Sequence, residues 1–271
     1  MNKNSLENIA REIRATCVKM AYTSKHGHLK SALTCSKILT YIYFNLIDLE
    51  KIKQKKIDRD RFYMSKGHGV SALYSIFAKA GIIDNKELET YCDYNSRLLD
   101  HPCKHSFNIL EASSGSLGHC LGIATGALYG LSLKKIFPKG IVLLSDGECN
   151  EGSIWEAAMF AASKKINNLL VFVDYNGFQA VGKSDEIMAY TSLEEKFKSF
   201  GWYSKTINGE NFDEYTSLEK DLMKINQPKA IVVKTKTGIN FMNNNNLWHY
   251  RVPSLDDINA SYSELKTNPI F

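Results

Sequence analysis

Two turns, one bearing a carboxylate and one an amide, carry the strongest chemical signal in this chain. The run Ile141-Val-Leu-Leu-Ser145 is followed at once by Asp146-Gly147-Glu148, and Leu169-Leu-Val-Phe-Val-Asp174 by Tyr175-Asn176-Gly177. Uninterrupted apolar runs of this kind are typical of strands buried on both faces. A helical pattern, SIWEAAMFAASKKI, lies between them. Asp146 and Asn176 therefore sit just past the carboxyl ends of two strands joined by one crossover helix. Adjacent parallel strands lie about 5 Å apart, so the two oxygen donors can converge on one hard cation. Magnesium or calcium accepts a carboxylate, an amide oxygen, a backbone carbonyl and phosphate oxygens together. Gly147, with no side chain, lets a diphosphate approach the backbone closely. Alone, Asp-Gly or Asn-Gly is an ordinary turn; the register of both with predicted strands is what gives them chemical meaning.

The elements that must position these turns alternate along the chain. Strands are expected at 141–145, 169–174 and 230–235, with weaker candidates at 61–65 and 203–207. Helical spacing occupies 6–24, 33–44, 70–80, 117–133, 153–166, 193–200 and 213–225. Strand–helix alternation predicts an α/β fold of three layers: a parallel sheet with helices on both faces and right-handed crossovers. Ligands bind such sheets at the carboxyl ends of the strands.

Asp146-Gly followed about thirty residues later by Asn176 resembles the thiamine-diphosphate motif of transketolases. The stretch DGECNEGSIWEAAMFAASKKINNLLVFVDYNGFQAVG is similar almost throughout to the N-terminal subunits of split transketolases. The resemblance implies that Asp146 and Asn176 hold the metal (Mg2+, or Ca2+ or Mn2+) with the Phe178 carbonyl, and that the Gly147 amide touches the cofactor diphosphate. Four of the seven histidines lie in further segments of the same likeness: Gly27-His28-Leu29, Ser65-Lys66-Gly67-His68, Asp100-His101-Pro102 and Trp248-His249. By resemblance, His68 and His249 contact the diphosphate, and His28 and His249 manage the proton on the substrate hydroxyl. His101 orients the donor's terminal hydroxyl. An imidazole pKa near 6.5 suits such roles. Gly115-Ser-Leu117-Gly118 is similar to the loop that meets the cofactor's aminopyrimidine, and Ser116 is also a good helix cap. Glu151 matches a glutamate at the subunit interface, and it equally suits a charge at a helix N-terminus. His26, His105 and His119 stay with an ordinary structural reading. Three positions depart from the family pattern, with Lys30, Ser145 and Tyr250 standing where glycine is usual.

Composition sets the bounds. The chain has 271 residues, 44% of them hydrophobic, and 34 basic against 29 acidic residues give a net charge of +5. That suits phosphorylated ligands but is no nucleic-acid signature. The basic run at 51–61 reads as a solvated loop. Six cysteines without a CxxC pair argue against a zinc ribbon or a disulfide framework. No apolar stretch is long enough to span a membrane, so a cytoplasmic protein is expected. There are no internal repeats; residues 243–246, all Asn, read as a polar loop.

The resemblance implies a single PP-type thiamine-diphosphate-binding domain over residues 1–271 and ketol transfer from a ketose donor to an aldose acceptor. In this family the carboxylate that activates the cofactor's pyrimidine ring lies on another domain. A partner chain carrying that domain is expected, in an α2β2 assembly, with sugars or sugar phosphates as substrates. The alternatives are the α subunit of a 2-oxo acid dehydrogenase and a non-catalytic cofactor-binding protein.

Overall fold

A computed structural model describes residues 1–188, 192–222 and 224–271. The strands are β1 (Arg61–Met64), β2 (Gly140–Ser145), β3 (Leu169–Tyr175), β4 (Phe178–Gln179), β5 (Gly182–Lys183), β6 (Tyr203–Asn208) and β7 (Lys229–Lys234). The helices are α1 (Lys3–Ser24), α2 (Leu29–Tyr41), α3 (Leu49–Lys53), α4 (Val70–Lys79), α5 (Cys120–Leu133), α6 (Gly152–Ser163), α7 (Ser184–Ile187), α8 (Leu193–Ser199), α9 (Phe212–Leu222) and α10 (Leu255–Leu265).

Five strands form one parallel sheet in the order β1-β2-β3-β7-β6, and β4 and β5 form a small antiparallel hairpin. Side chains alternate across the sheet, which separates two apolar layers. Ile141, Leu143, Phe172, Ile231 and Val233 face one core with residues of α1, α2, α4 and α9. Val142, Leu144, Val171, Val173 and Val232 face the other with α5, α6 and α8. The chain steps one way from β1 through β3 and the opposite way from β6 to β7. Right-handed crossovers put the connecting helices of opposite steps on opposite faces, which matches α6 on one side and α9 on the other.

All five expected strands are present, as are the seven helical segments, with shifted ends. The predicted helix at 33–44 begins earlier, at Leu29, and passes into a π-turn, Ile42–Leu46. The one expected to open at 117 begins at Cys120 with His119 at its cap, so Ser116 does not cap it. The reason is Gly118, whose φ of +84° turns the chain before the helix starts. The predicted end at 225 runs past residue 223, which lies outside the described residues. Helix α10 has no counterpart in the sequence reading; its capping box joins Ser254 and Asp257. The basic run is only partly a loop. Its first residues, 51–53, close α3, and Arg59 and Arg61 bind Glu111 at 2.7 and 2.9 Å.

Beneath the carboxyl ends of the strands lies an ion pair between Lys66 and Asp174, both with fully buried side chains. The same carboxylate accepts hydrogen bonds from Thr34 Oγ1 of α2 (2.7 Å) and Thr235 Oγ1 past β7. Lys66 also donates to the Ser31 carbonyl at 3.1 Å. Burial opposes charge on Lys66, but Asp174, Cys35 and Asp146 together outweigh it and raise the lysine pKa. Removing one partner of such a pair leaves a buried unpaired charge, worth about 3–5 kcal/mol. Lys66→Met is accordingly expected to lower the thermal unfolding midpoint strongly, whereas Lys198→Met, which loses only exposed pairs, leaves it in place. Equal midpoints for the two variants in a melting experiment would show that the pair does not hold the layers together.

Candidate active site

A cleft of about 380 Å³ opens over the strand ends, lined among others by His28, Lys30, His68, His101, Gly115, Leu117, Gly147, Glu148, Glu151, Asn176, Phe178 and His249. Every site residue singled out from the sequence lines it except Asp146, which lies at the end of β2 and is 5% exposed. The β2–β3 register pairs Ser145 with Asp174, so the loops carrying Asp146 and Asn176 leave the sheet side by side. Asp146 Oδ2 is anchored by the Gly177 N–H at 3.0 Å and the Ser184 hydroxyl at 2.8 Å. Its Oδ1 is buried and has no hydrogen-bond partner among the described residues. A buried, unsatisfied carboxylate oxygen is costly unless something occupies it. Asn176 Oδ1 accepts the Phe178 N–H at 2.9 Å, and an amide oxygen has a second lone pair to offer.

These donors suit a hard divalent cation. They are all oxygens, one anionic and pre-aimed by two hydrogen bonds. Among the described residues no group of three or more His, Cys, Asp or Glu side chains could by itself hold a metal ion, so a cation here depends on amide, carbonyl and ligand oxygens besides the carboxylate. Space for a diphosphate is kept by Gly147: a Cβ there would meet Gln179 Cγ at 2.9 Å. Ser145, in the usual glycine position, fits because its hydroxyl accepts the Glu148 N–H at 3.3 Å.

The four histidines come from four separate elements and meet. The His28 ring centroid lies 5.6 Å from His68, 6.0 Å from His101 and 5.3 Å from His249. His28 takes a left-handed φ of 63°, and its N–H donates to the His249 carbonyl at 2.8 Å. Burial, opposed by Asp100, lowers the His28 pKa; burial and Lys66 push His68 well down. Burial and the neighbouring His28 push His249 down to about 4. His28, His68 and His249 are therefore neutral at physiological pH, ready to accept or donate protons. His26, His105 and His119 are exposed. The Tyr250 ring stands 4.6 Å from His249 and 5.6 Å from His28, at the outer side of the cluster.

Three participants were not read from sequence. Glu148 is fully buried and accepts from the Ser65 hydroxyl, the Gly118 N–H (2.8 Å) and the Ser145 N–H (3.3 Å). It thereby ties the 114–118 loop to the ends of β1 and β2; burial raises its pKa. Lys66 supplies charge from below, and Ser184 aims Asp146. A buried glutamate cannot be told from an exposed one by spacing, and the partners of Lys66 and Ser184 are 108 and 38 residues away. Glu151, at the α6 N-terminus, makes no capping hydrogen bond and is exposed.

Residues 5–265 match the family described as the transketolase thiamine diphosphate binding domain. The chain belongs to the transketolase family. It is 31% identical over 268 residues to one subunit of the apulose-4-phosphate transketolase of Phocaeicola vulgatus, covering 98% of this chain and 95% of that one. One subunit of the 6-deoxy-6-sulfo-D-fructose transketolase of a Clostridium species is 32% identical over 78% of each chain. Among solved structures, transketolase from Campylobacter jejuni superposes with a TM-score of 0.89 at 22% identity, over all of this chain and 44% of that one. This is a transferase of the transketolase kind, of the N-terminal subunit type, with thiamine diphosphate as its cofactor. The dehydrogenase and non-catalytic alternatives are not favoured.

Burial pushes the Asp146 pKa up to about 6, against the pull of Ser184. A carboxyl whose pKa is raised on folding contributes stability below about pH 3.8 that is lost as pH rises through about 6. Asp146→Asn is expected to raise the metal-free thermal midpoint at pH 7.5, by up to roughly 3 kcal/mol of stability. The gain shrinks to nothing near pH 4, and magnesium-dependent cofactor binding is abolished. A less stable variant that still binds cofactor with magnesium would remove Asp146 from the metal site. His249 behaves oppositely: its contribution is present above pH 6.5 and lost as pH falls towards 4. Its ring resonances should accordingly show no NMR titration between pH 5.5 and 8.

Proposed function

We propose that this chain is the diphosphate-holding half of a two-subunit transketolase, in which a divalent cation joins Asp146, Asn176 and the Phe178 carbonyl to the cofactor. The observation that carries the reading is the meeting, in and just beneath one cleft, of an oxygen-donor set with an orphaned carboxylate oxygen and a cluster of histidines. Thiamine diphosphate, when bound, supplies the electron sink that lets a carbonyl carbon act as a nucleophile. The protein binds, orients and moves protons. Gly147 and His68 border the diphosphate, and Gly115 and Leu117 border the pyrimidine side. His28 and His249 accept the proton of the substrate hydroxyl whose carbon–carbon bond breaks and return it to the product. Burial suits them to this by keeping both rings neutral. His101, beside His28, orients the donor's terminal hydroxyl.

A partner subunit bearing the pyrimidine-binding domain, in an α2β2 assembly, completes the reading. Helix α5 supports it: the helix is apolar nearly all round, yet Ile123 and Leu133 are exposed, as are Phe137 beyond it and Met159 and Phe160 of α6. Continuous exposed apolar surface marks an interface. Glu151 lies on that side, against Gly118 just before α5. Substrates are assigned to the sugar and sugar-phosphate class, which fits relatives named for a phosphorylated and a sulfonated sugar. No described helix is long and apolar enough to cross a membrane, and we place the enzyme in the cytoplasm.

The chain alone, supplied with thiamine diphosphate and magnesium, is expected to transfer no ketol unit from a ketose to an aldose; adding the partner subunit restores turnover. Substantial activity of the lone chain would refute the two-subunit reading. In the assembled enzyme His28→Ala should lower kcat by about 10²–10⁴-fold, and an unchanged kcat would take the proton from this histidine.

A further inference from the structure

Lys30 is an oddity of this cleft. It lies in the first turn of α2, is 4% exposed, and its Nζ is buried with no hydrogen-bond partner among the described residues. Its Nζ stands over the face of the Phe178 ring, 3.4 Å from the centroid. A cation in the first turn of a helix also opposes the helix dipole. An ammonium has three donors and is strongly hydrated in water, so a lone aromatic face is poor compensation for burial. The residue borders both the main cleft and a smaller cavity of about 120 Å³ beside Asn176, Phe178 and Thr235. It thus stands beside Asn176 and Phe178, the residues read as metal ligands.

Two buried groups of opposite charge are therefore orphaned in one place, Lys30 Nζ and Asp146 Oδ1. No ion pair joins them. Each is satisfied by a different half of a single ligand: the carboxylate by a divalent cation, the ammonium by anionic oxygens held beside that cation. A metal-bound diphosphate offers both. We propose that Lys30 is a diphosphate ligand of this chain, donating to the cofactor's phosphate oxygens beside the metal ligands. The inference rests on the cofactor site described above and adds to it a charge contributed from α2.

A charged hydrogen bond of this kind is worth about 10–100-fold in affinity. The test is calorimetry on the full chain co-purified with its partner subunit, titrating thiamine diphosphate, inorganic pyrophosphate and thiamine in the presence of magnesium. Wild type and Lys30→Met are compared, with Lys30→Gln as a second variant. The expected result is a Kd raised about 10–100-fold for thiamine diphosphate and for pyrophosphate, with thiamine unaffected. The thermal midpoint of the ligand-free variants should stay level or rise, since an unpaired buried cation has been removed; a packing role would lower it. Unchanged affinity for both phosphate ligands in either variant would overturn the proposal. So would an equal loss for thiamine, and so would affinity for the donor sugar falling while cofactor affinity holds, which would give Lys30 to a substrate phosphate. If wild type itself takes up no thiamine diphosphate, the cofactor site falls, and this inference with it.

Discussion

The Lys66–Asp174 pair is the constraint on which the active site depends. Asp174 ends the buried part of β3, Lys66 follows β1, and the shared hydrogen bonds reach Thr34 on α2 and Thr235 after β7. Each arm of this network continues directly into a cleft residue: β3 into Asn176, the Lys66 segment into His68, α2 back to Lys30 and His28, and β7 on towards His249. Four chain segments distant in sequence are thus fixed relative to one another by charge-assisted bonds in a fully buried region, where geometry is exacting and a missing partner is expensive. Glu148 does the same on the other flank, where one carboxylate fixes the 114–118 loop, β1 and β2 together.

Desolvation gives the cleft its chemical character. Burial moves Asp146 up to about 6, Lys30 down to about 8 against the pull of Asp146, and His249 down to about 4. Each charged form is disfavoured until a counter-charge arrives. For His28, His68 and His249 the consequence is a neutral ring at working pH. For Asp146 and Lys30 the consequence is affinity, since a bound cation and its anion restore interactions that water supplied before folding. The same dehydration that tunes the groups also sharpens their electrostatics.

The departures from the family pattern at Lys30, Ser145 and Tyr250 have different structural meanings. Ser145 is absorbed by a hydrogen bond to its own turn. Tyr250 adds an exposed aromatic ring beside His28 and His249, and Lys30 adds a buried charge in the first turn of α2. The Asp146–Gly147 turn itself retains the form that close backbone approach demands.

By itself the sequence determined the five strands, the alternation that makes the sheet parallel, and the two turns at its edge. Those features follow from local spacing: buried strands require continuous apolar runs, and Asp146 and Asn176 are placed simply by ending them. His28, His68, His101 and His249 could be named only because whole segments around them resembled a known family; nothing in their spacing predicts that they meet. Helix α10, whose Ser254–Asp257 capping box was legible, went unread. Only the tertiary structure decided that Glu148 is a buried clamp, that Lys66 and Asp174 find each other, and that the ammonium of Lys30 has no partner. Burial and pairing are properties of packed surfaces far apart along the chain, and a linear pattern carries no measure of them.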